Sequence, residues 1–293
     1  MALLLDGKKL SSQILRELSA TIARNKITPK LAIIFAGQDP ASEVYVGNKS
    51  KRAAEIGLQT EIRRFPHDVS KAELLNCVHE LNGRQDVHGI IIQAPLPNVS
   101  MQMEVFQSIS PEKDVDGFTL PNIAKLVVDD PSGFVPCTPL GIQLLLKRYH
   151  ISVSGKHVVI IGRSSLVGRP LSLLLSQKSM ECNATVTLCH SGTQNLQNIT
   201  RTADIIVVAI GQKHFLTIDK VPEGCVVIDV GINREFTDAS HTSYKLYGDS
   251  DWESLRDHCY AITPVPGGVG PMTVVSLMSN TVKACLQQNS IIP

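Results

Sequence analysis

The sequence lacks most features that would announce a compartment, a membrane or a nucleic-acid partner. Its cysteines (Cys77, Cys137, Cys182, Cys189, Cys225, Cys259 and Cys285) are scattered, odd in number and never paired as C-x-x-C. That pattern argues against a disulfide framework and a zinc site, and for reduced thiols in the cytoplasm. No charge of one sign dominates. Lys+Arg 28 against Asp+Glu 27 leaves +1, too little for a general field that would attract nucleic acid or an anionic membrane. Any charged ligand must be met by a few placed residues. The start, "MALLLDGKKL", reaches Asp6 after a short apolar run, without the basic start and long apolar stretch of a signal peptide. No later run is long enough to span a bilayer. Low-complexity tracts and internal repeats are missing too.

What is present is an apolar, globular composition. Apolar residues make up 43% and charged residues 19% of 293, enough chain for two modest domains with ample core. Strand-like runs at 31–37, 60–65 and 88–97, then 157–162, 184–190, 204–211 and 225–231, alternate with amphipathic segments at 8–25, 70–82, 138–149 and 166–178. Such alternation predicts an α/β fold with parallel sheets covered on both faces. The Pro- and Gly-rich stretch "PSGFVPCTPLG" (131–141) reads as the connection between domains. The expected division is residues 1–145 and 146–271, with a C-terminal helix over 272–293 that packs back on the first domain.

"DPASEVYVGNKSKRAAEIG" (39–57) reads as a helix capped by Asp39, with Pro40 at its first position and Gly57 closing it. At about 100° per residue, Ala41, Tyr45, Val46, Ala53 and Ile56 share one side, and Glu43, Ser50, Lys51 and Glu55 the other. Lys49 falls in the apolar sector, one turn beyond Tyr45. Two readings are open: a lysine stem laid along apolar surface, or an amine lining a cleft and able to act as a base.

"HVVIIGRSSLVGRPL" is a buried strand, a Gly-rich turn and a helix start. Its spacing, G-x-S-x-x-V-G from Gly162 to Gly168, departs from G-x-G-x-x-G but still aims backbone N–H groups at a phosphate. The three hydrophobic strands that follow support a Rossmann-like dinucleotide domain. The first of these, the second strand of the domain, runs into "CHSGT", with His190, Ser191 and Thr193 and no acid to hold ribose hydroxyls. Arg163 stands in the turn. A missing carboxylate beside an arginine favours NADP over NAD.

Three further motifs stand out. Gln93 ends the run "IIIQAPLP", where Pro95 and Pro97 forbid continuation, at the strand end where open α/β sheets bind ligands. "PEKDVDGF" places Asp114 and Asp116 before Gly117, which is equally the composition of a solvated turn. "TPVPGGVGPMT" (263–273), with Pro264, Gly267 and Gly268, is a fixed loop of exposed backbone suited to close packing on a flat ligand.

These segments, with "YVGNKSKRAAEIG", "SPEKDVDGF", "PCTPLG", "GRSSLVGRP" and "VIDVGIN", occur in the order found in bifunctional methylenetetrahydrofolate dehydrogenase/cyclohydrolases, which the whole chain resembles. Ala94 is a departure, since the family often has Leu there. The resemblance implies two α/β domains flanking a cleft in which folate and NADP meet, and a homodimer. It implies that Lys49 is the catalytic lysine, Tyr45 the aromatic stacked on folate, Gln93 the lysine's partner and Asp116 the pterin anchor. Pro264, Gly267 and Gly268 are implied on the substrate side. Gly162, Arg163, Ser164, Gly168, His190, Ser191 and Ile232 are implied at the cofactor. No P-loop accompanies them, so a formyltetrahydrofolate synthetase activity is not expected. Two rival classes fit the dinucleotide turn alone. A shikimate-dehydrogenase-like oxidoreductase lacks the Pro-Gly loop, and a non-catalytic sensor has no use for an inward Lys49.

Overall fold

The computed structural model describes residues 1–238 and 243–291, and the side chains of all of these except Pro40 and Ala41. In chain order the strands are β1 (Leu3–Leu4), β2 (Lys30–Ala36), β3 (Gln59–Phe65), β4 (Gly89–Ile92), β5 (His157–Ile161), β6 (Thr185–Cys189), β7 (Ile205–Val208), β8 (Val226–Asp229), β9 (Asn233–Phe236), β10 (Tyr244–Tyr247) and β11 (Ala261–Ile262). The helices are α1 (Gly7–Asn25), α2 (Pro40–Glu55), α3 (Lys71–Gly83), α4 (Gln102–Gln107), α5 (Leu120–Val127), α6 (Cys137–Arg148), α7 (Gly168–Ser176), α8 (Leu196–Thr200), α9 (Trp252–Leu255) and α10 (Val269–Gln288).

The chain forms two compact units, Ser12–Cys137 with Val274–Pro293, and Met1–Ser11 with Thr138–Thr273. The first holds a parallel sheet in the order β3-β2-β4. β2 is its centre, and Leu31 to Ala36 are at most 4% exposed. A strand paired on both edges and covered on both faces has no polar side, hence the unbroken "LAIIFA". β4 stops at Ile92, short of the expected 97, because Pro95 follows; the Gln93 N–H still donates to the Ile34 carbonyl. In this unit the Asn280 amide of α10 donates to the carbonyls of Val115 (2.8 Å) and Val135 (3.0 Å).

The second unit holds a six-stranded parallel sheet, β1-β11-β8-β7-β5-β6. Every residue of β7 and β8 is buried. The first eleven residues, expected with residues 1–145, lie in this unit instead, because β1 pairs with β11 and Leu5 donates to the Ile262 carbonyl. Two-residue strands carry no periodicity that a sequence reading can detect. The boundary near 145 also moves. It falls at Cys137/Thr138, since α6 packs Gly141 directly against the Met272 backbone. The antiparallel β9–β10 hairpin is a further element that the sequence pattern did not suggest. Among the described residues no helix is long and apolar enough to cross a membrane.

Candidate active site

In the three-stranded unit, α2 starts as its residues dictate. The Asp39 carboxylate accepts from the Ser42 N–H (2.8 Å) and Pro40 stands at the first helical turn. Val46, Ala53 and Ile56 are buried at 3% exposure or less, whereas Tyr45 is 39% exposed and lies at the border of that face. The side chain of Ala41 lies outside the described residues. Ser50 departs from the outward placement expected of it. It is half-buried, and its Oγ is shielded from water with no hydrogen-bond partner. Lys49 is half-buried and its Nζ donates to Gln93 Oε1 at 3.0 Å, joining α2 to the carboxyl end of β4. The Gln93 Nε2 donates to the Ala94 carbonyl (2.9 Å), which orients the amide so that its oxygen faces the amine.

The Asp114–Asp116 turn is not a solvated one. Asp114 is 1% exposed and accepts from the N–H groups of Gly117 (2.9 Å) and Thr119 (2.7 Å), from the Thr119 hydroxyl (2.7 Å) and from Asn122 Nδ2 (2.9 Å). It is the scaffold of the turn. Asp116, two residues on, is left to face Lys49 and Cys137. Burial pushes the Asp116 carboxyl up from the usual range, with Asp114 adding to the rise, while the Lys49 charge and a Cys137 hydrogen bond pull it back. The Cys137 thiol is driven well above its ordinary value by burial and then by Asp116. Thus Lys49, Gln93 and Asp116 are brought together in one unit, with a supporting group formed by Asp114, Asn122 and Cys137. Of that group the sequence pattern marks Asp114 only as a turn residue and does not single out Asn122 or Cys137. "PCTP" looked like linker, and only the buried contacts distinguish Asp114 from its neighbour.

In the six-stranded unit, Ile161 of β5 pairs with Cys189 of β6. Their carboxyl ends therefore present Gly162–Ser164 and His190–Ser191 side by side. Gly162 has φ +121°, and a Cβ there would lie 2.3 Å from the Ala209 carbonyl oxygen; one on Gly168 would meet the Gly162 carbonyl. Both glycines serve the tight turn and the close seating of α7. Arg163, Ser164 and Ser191 are exposed, and Ile232, just past β8, is 46% exposed. Among the described residues no carboxylate pairs with Arg163. The Ser164 hydroxyl accepts from the Val167 N–H (3.1 Å) and keeps its own hydrogen to donate. His190 is used internally: its Nδ1 accepts from the Gly192 N–H (3.1 Å), shaping the turn that carries Ser191. A cationic, hydroxyl-bearing, acid-free edge fits a dinucleotide with a third phosphate.

Pro264, Gly267 and Gly268 also lie in this unit. The composition of their loop answers partly to internal packing. A Cβ on Gly268 would approach the Pro264 carbonyl (2.6 Å) and Thr263, and Gly7 sits directly on the Gly268 carbonyl.

Two family models match, the catalytic domain of tetrahydrofolate dehydrogenase/cyclohydrolase over residues 5–116 and its NAD(P)-binding domain over residues 136–289. The chain belongs to the tetrahydrofolate dehydrogenase/cyclohydrolase family. It is 47% identical over 288 residues to the bifunctional protein FolD of Aquifex aeolicus, covering 97% of this chain and 95% of that one. With the FolD of Chlorobium phaeobacteroides it shares 44% over 293 residues, 98% of each. The crystal structure of the bifunctional enzyme FolD from Campylobacter jejuni superposes with a TM-score of 0.91 at 42% identity, over 98% of this chain and 99% of that one. The dehydrogenase-cyclohydrolase of Trypanosoma brucei, solved with NADP cofactor and inhibitor, gives 0.90 at 33% identity over 98% of each chain. The likeness spans both units of this family member.

Proposed function

We propose that this protein is a bifunctional folate enzyme. It oxidises 5,10-methylenetetrahydrofolate to the 5,10-methenyl form with NADP⁺, then hydrolyses that product to 10-formyltetrahydrofolate. The observation that carries this reading is the Lys49–Gln93 hydrogen bond (3.0 Å), with the Lys49 charge acting on the Asp116 carboxyl, in a chain of this family.

In the first step the methylene carbon loses hydride, and the adjoining nitrogens hold the positive charge that remains. NADP⁺, when bound, supplies the hydride acceptor. The chain's own task is orientation. Asp116 anchors the pterin, Tyr45 stacks on the folate, and Pro264, Gly267 and Gly268 shape the substrate side. In the second step water adds to the methenyl carbon and a C–N bond opens. Lys49, held by Gln93, assists proton transfer at that carbon. Gly162, Arg163, Ser164, Gly168, His190, Ser191 and Ile232 form or shape the NADP site, and Arg163 meets the 2′-phosphate. NADP⁺ is therefore used in preference to NAD⁺; equal use of both would count against Arg163 in that role.

The enzyme works in the cytoplasm, in keeping with seven buried, unpaired cysteines, and as a homodimer. Light scattering should return twice 31.9 kDa; a monomer mass at micromolar concentration would remove the dimer. The decisive experiment supplies methylenetetrahydrofolate and NADP⁺ and follows NADPH and the methenyl product by absorbance. Neither signal rising would end the proposal.

A further inference from the structure

Two carboxylates near the carboxyl edge of the six-stranded sheet have no part in the chemistry above. Asp229 ends β8 and Asp249 follows β10, and they are 3% and 0% exposed. A buried carboxylate survives only if its oxygens are fully hydrogen-bonded or paired with a cation. Among the described residues neither forms an ion pair. Instead Asp249 accepts from the N–H groups of Ile210 (2.7 Å), Gly211 (3.0 Å) and Gln212 (2.8 Å), and from Asn233 Nδ2 (2.9 Å). Asp229 accepts from the N–H groups of Gly231 (2.9 Å), Asp249 (2.9 Å) and Ser250 (2.7 Å). Its own N–H donates to the Thr263 hydroxyl at 2.7 Å.

The segments leaving β7, β8 and β10 thus converge on two side chains, while Thr263, just past β11, is held by the Asp229 backbone. The fit is tight. A Cβ on Gly231 would lie 2.2 Å from Asp249 Oδ1, and one on Gly248 a still shorter way from Asp229 Oδ2. The web also touches the phosphate turn, because Gly162 packs on the Ala209 carbonyl and the next residue, Ile210, is held by Asp249. In a doubly wound sheet the pyrophosphate lies at the first βα turn and the adenosine ribose beside the end of the second strand. Here those are β5 and β6. The nicotinamide half then falls on the other side, over the ends of β7 and β8, where Ile232 follows Gly231.

We propose that the Asp229–Asp249 pair positions the nicotinamide half of NADP, by fixing segments 209–212 and 230–233 as one wall. This rests on the assignment of the six-stranded unit to NADP. The test is Asp249→Asn, which keeps the size of the side chain and removes its charge and one acceptor. Since small misplacements of reacting groups are costly, kcat/KM for NADP⁺ should drop on the order of tenfold or more. Binding of adenosine 2′,5′-bisphosphate, which carries only the adenosine half, should stay at the parent's level, as should hydrolysis of supplied methenyltetrahydrofolate. Asn233→Ala removes one donor to the same carboxylate and should act in the same direction to a smaller extent. It carries the test if Asp249→Asn melts below the assay temperature. Parent-like use of NADP⁺ by the folded variants would overturn the proposal, and so would equal losses for NADP⁺ and the bisphosphate. An unmutated protein that fails to reduce NADP⁺ would remove the cofactor assignment itself, and this proposal with it.

Discussion

Lys49 has a partner that a lysine merely snorkelling to water does not need, the Gln93 amide oxygen at 3.0 Å. If it serves proton transfer, Lys49→Met should lower hydrolysis of methenyltetrahydrofolate by about 10²–10⁴-fold. The oxidation, driven by the nitrogen lone pair, should suffer less, so methenyl product should accumulate while NADPH still forms. Both are visible in one cuvette at two wavelengths. Hydrolysis at the parent's rate would return Lys49 to a packing role. A second residue-scale prediction concerns Asp229, whose carboxyl burial lifts to about 6. An acid raised in the fold holds its proton more tightly there than in the unfolded chain. Its contribution to stability is therefore complete below its ordinary value near 4 and is lost as pH rises through about 6. Relative to the parent, Asp229→Asn should become more stable by about 3 kcal/mol between about pH 4 and pH 7.5. Denaturant melts at both pH values measure this, and a constant difference would refute it.

At the scale of elements, α2 and the turn after residue 110 present the site. The helix was readable because capping, proline and apolar spacing are local signals, all inside 39–57. The turn was readable only as a turn. Asp114 and Asp116 are chemically alike and two residues apart, yet one is consumed by four donors and the other is left for Lys49. That partition depends on Thr119 and Asn122, which arrive from the start of α5. Asp114→Ala should leave several buried donors without an acceptor and destabilise the protein by about 3 kcal/mol. It should also raise KM for the folate while NADP⁺ affinity stays unchanged. A variant with lowered stability and a parent-like folate KM would show that the turn does not position Asp116.

At the scale of the molecule, the chain's start belongs to the unit that its middle builds. β1 extends the six-stranded sheet, with Leu3 donating to Tyr260 and Leu5 to Ile262, and Leu5 is fully buried. The Lys8 N–H continues this contact by donating to the Gly267 carbonyl (2.9 Å). Leu5→Ala should cost about 2–5 kcal/mol, as for other buried leucines. It should also weaken NADP⁺ binding, though it lies far in sequence from Gly162. An unchanged melting temperature would mean that the edge strand contributes nothing to the sheet.

The sequence by itself determined the class of fold, the extent of α2, the places of β2 to β8 and the acid-free Gly-rich turn, because each rests on patterns within about twenty residues. Tertiary structure alone decided which of two neighbouring aspartates is buried scaffold, that Ser50 turns its hydroxyl inward, and that His190 is spent on its own turn. It also decided that Asp229 and Asp249 gather three loops. The web of Asp229 and Asp249 is set by partners distant in the chain, whereas the bonds of Asp114 and His190 are short-range but follow no periodicity. A hydrogen bond takes no account of sequence separation, whereas a periodicity carries information only along its own segment.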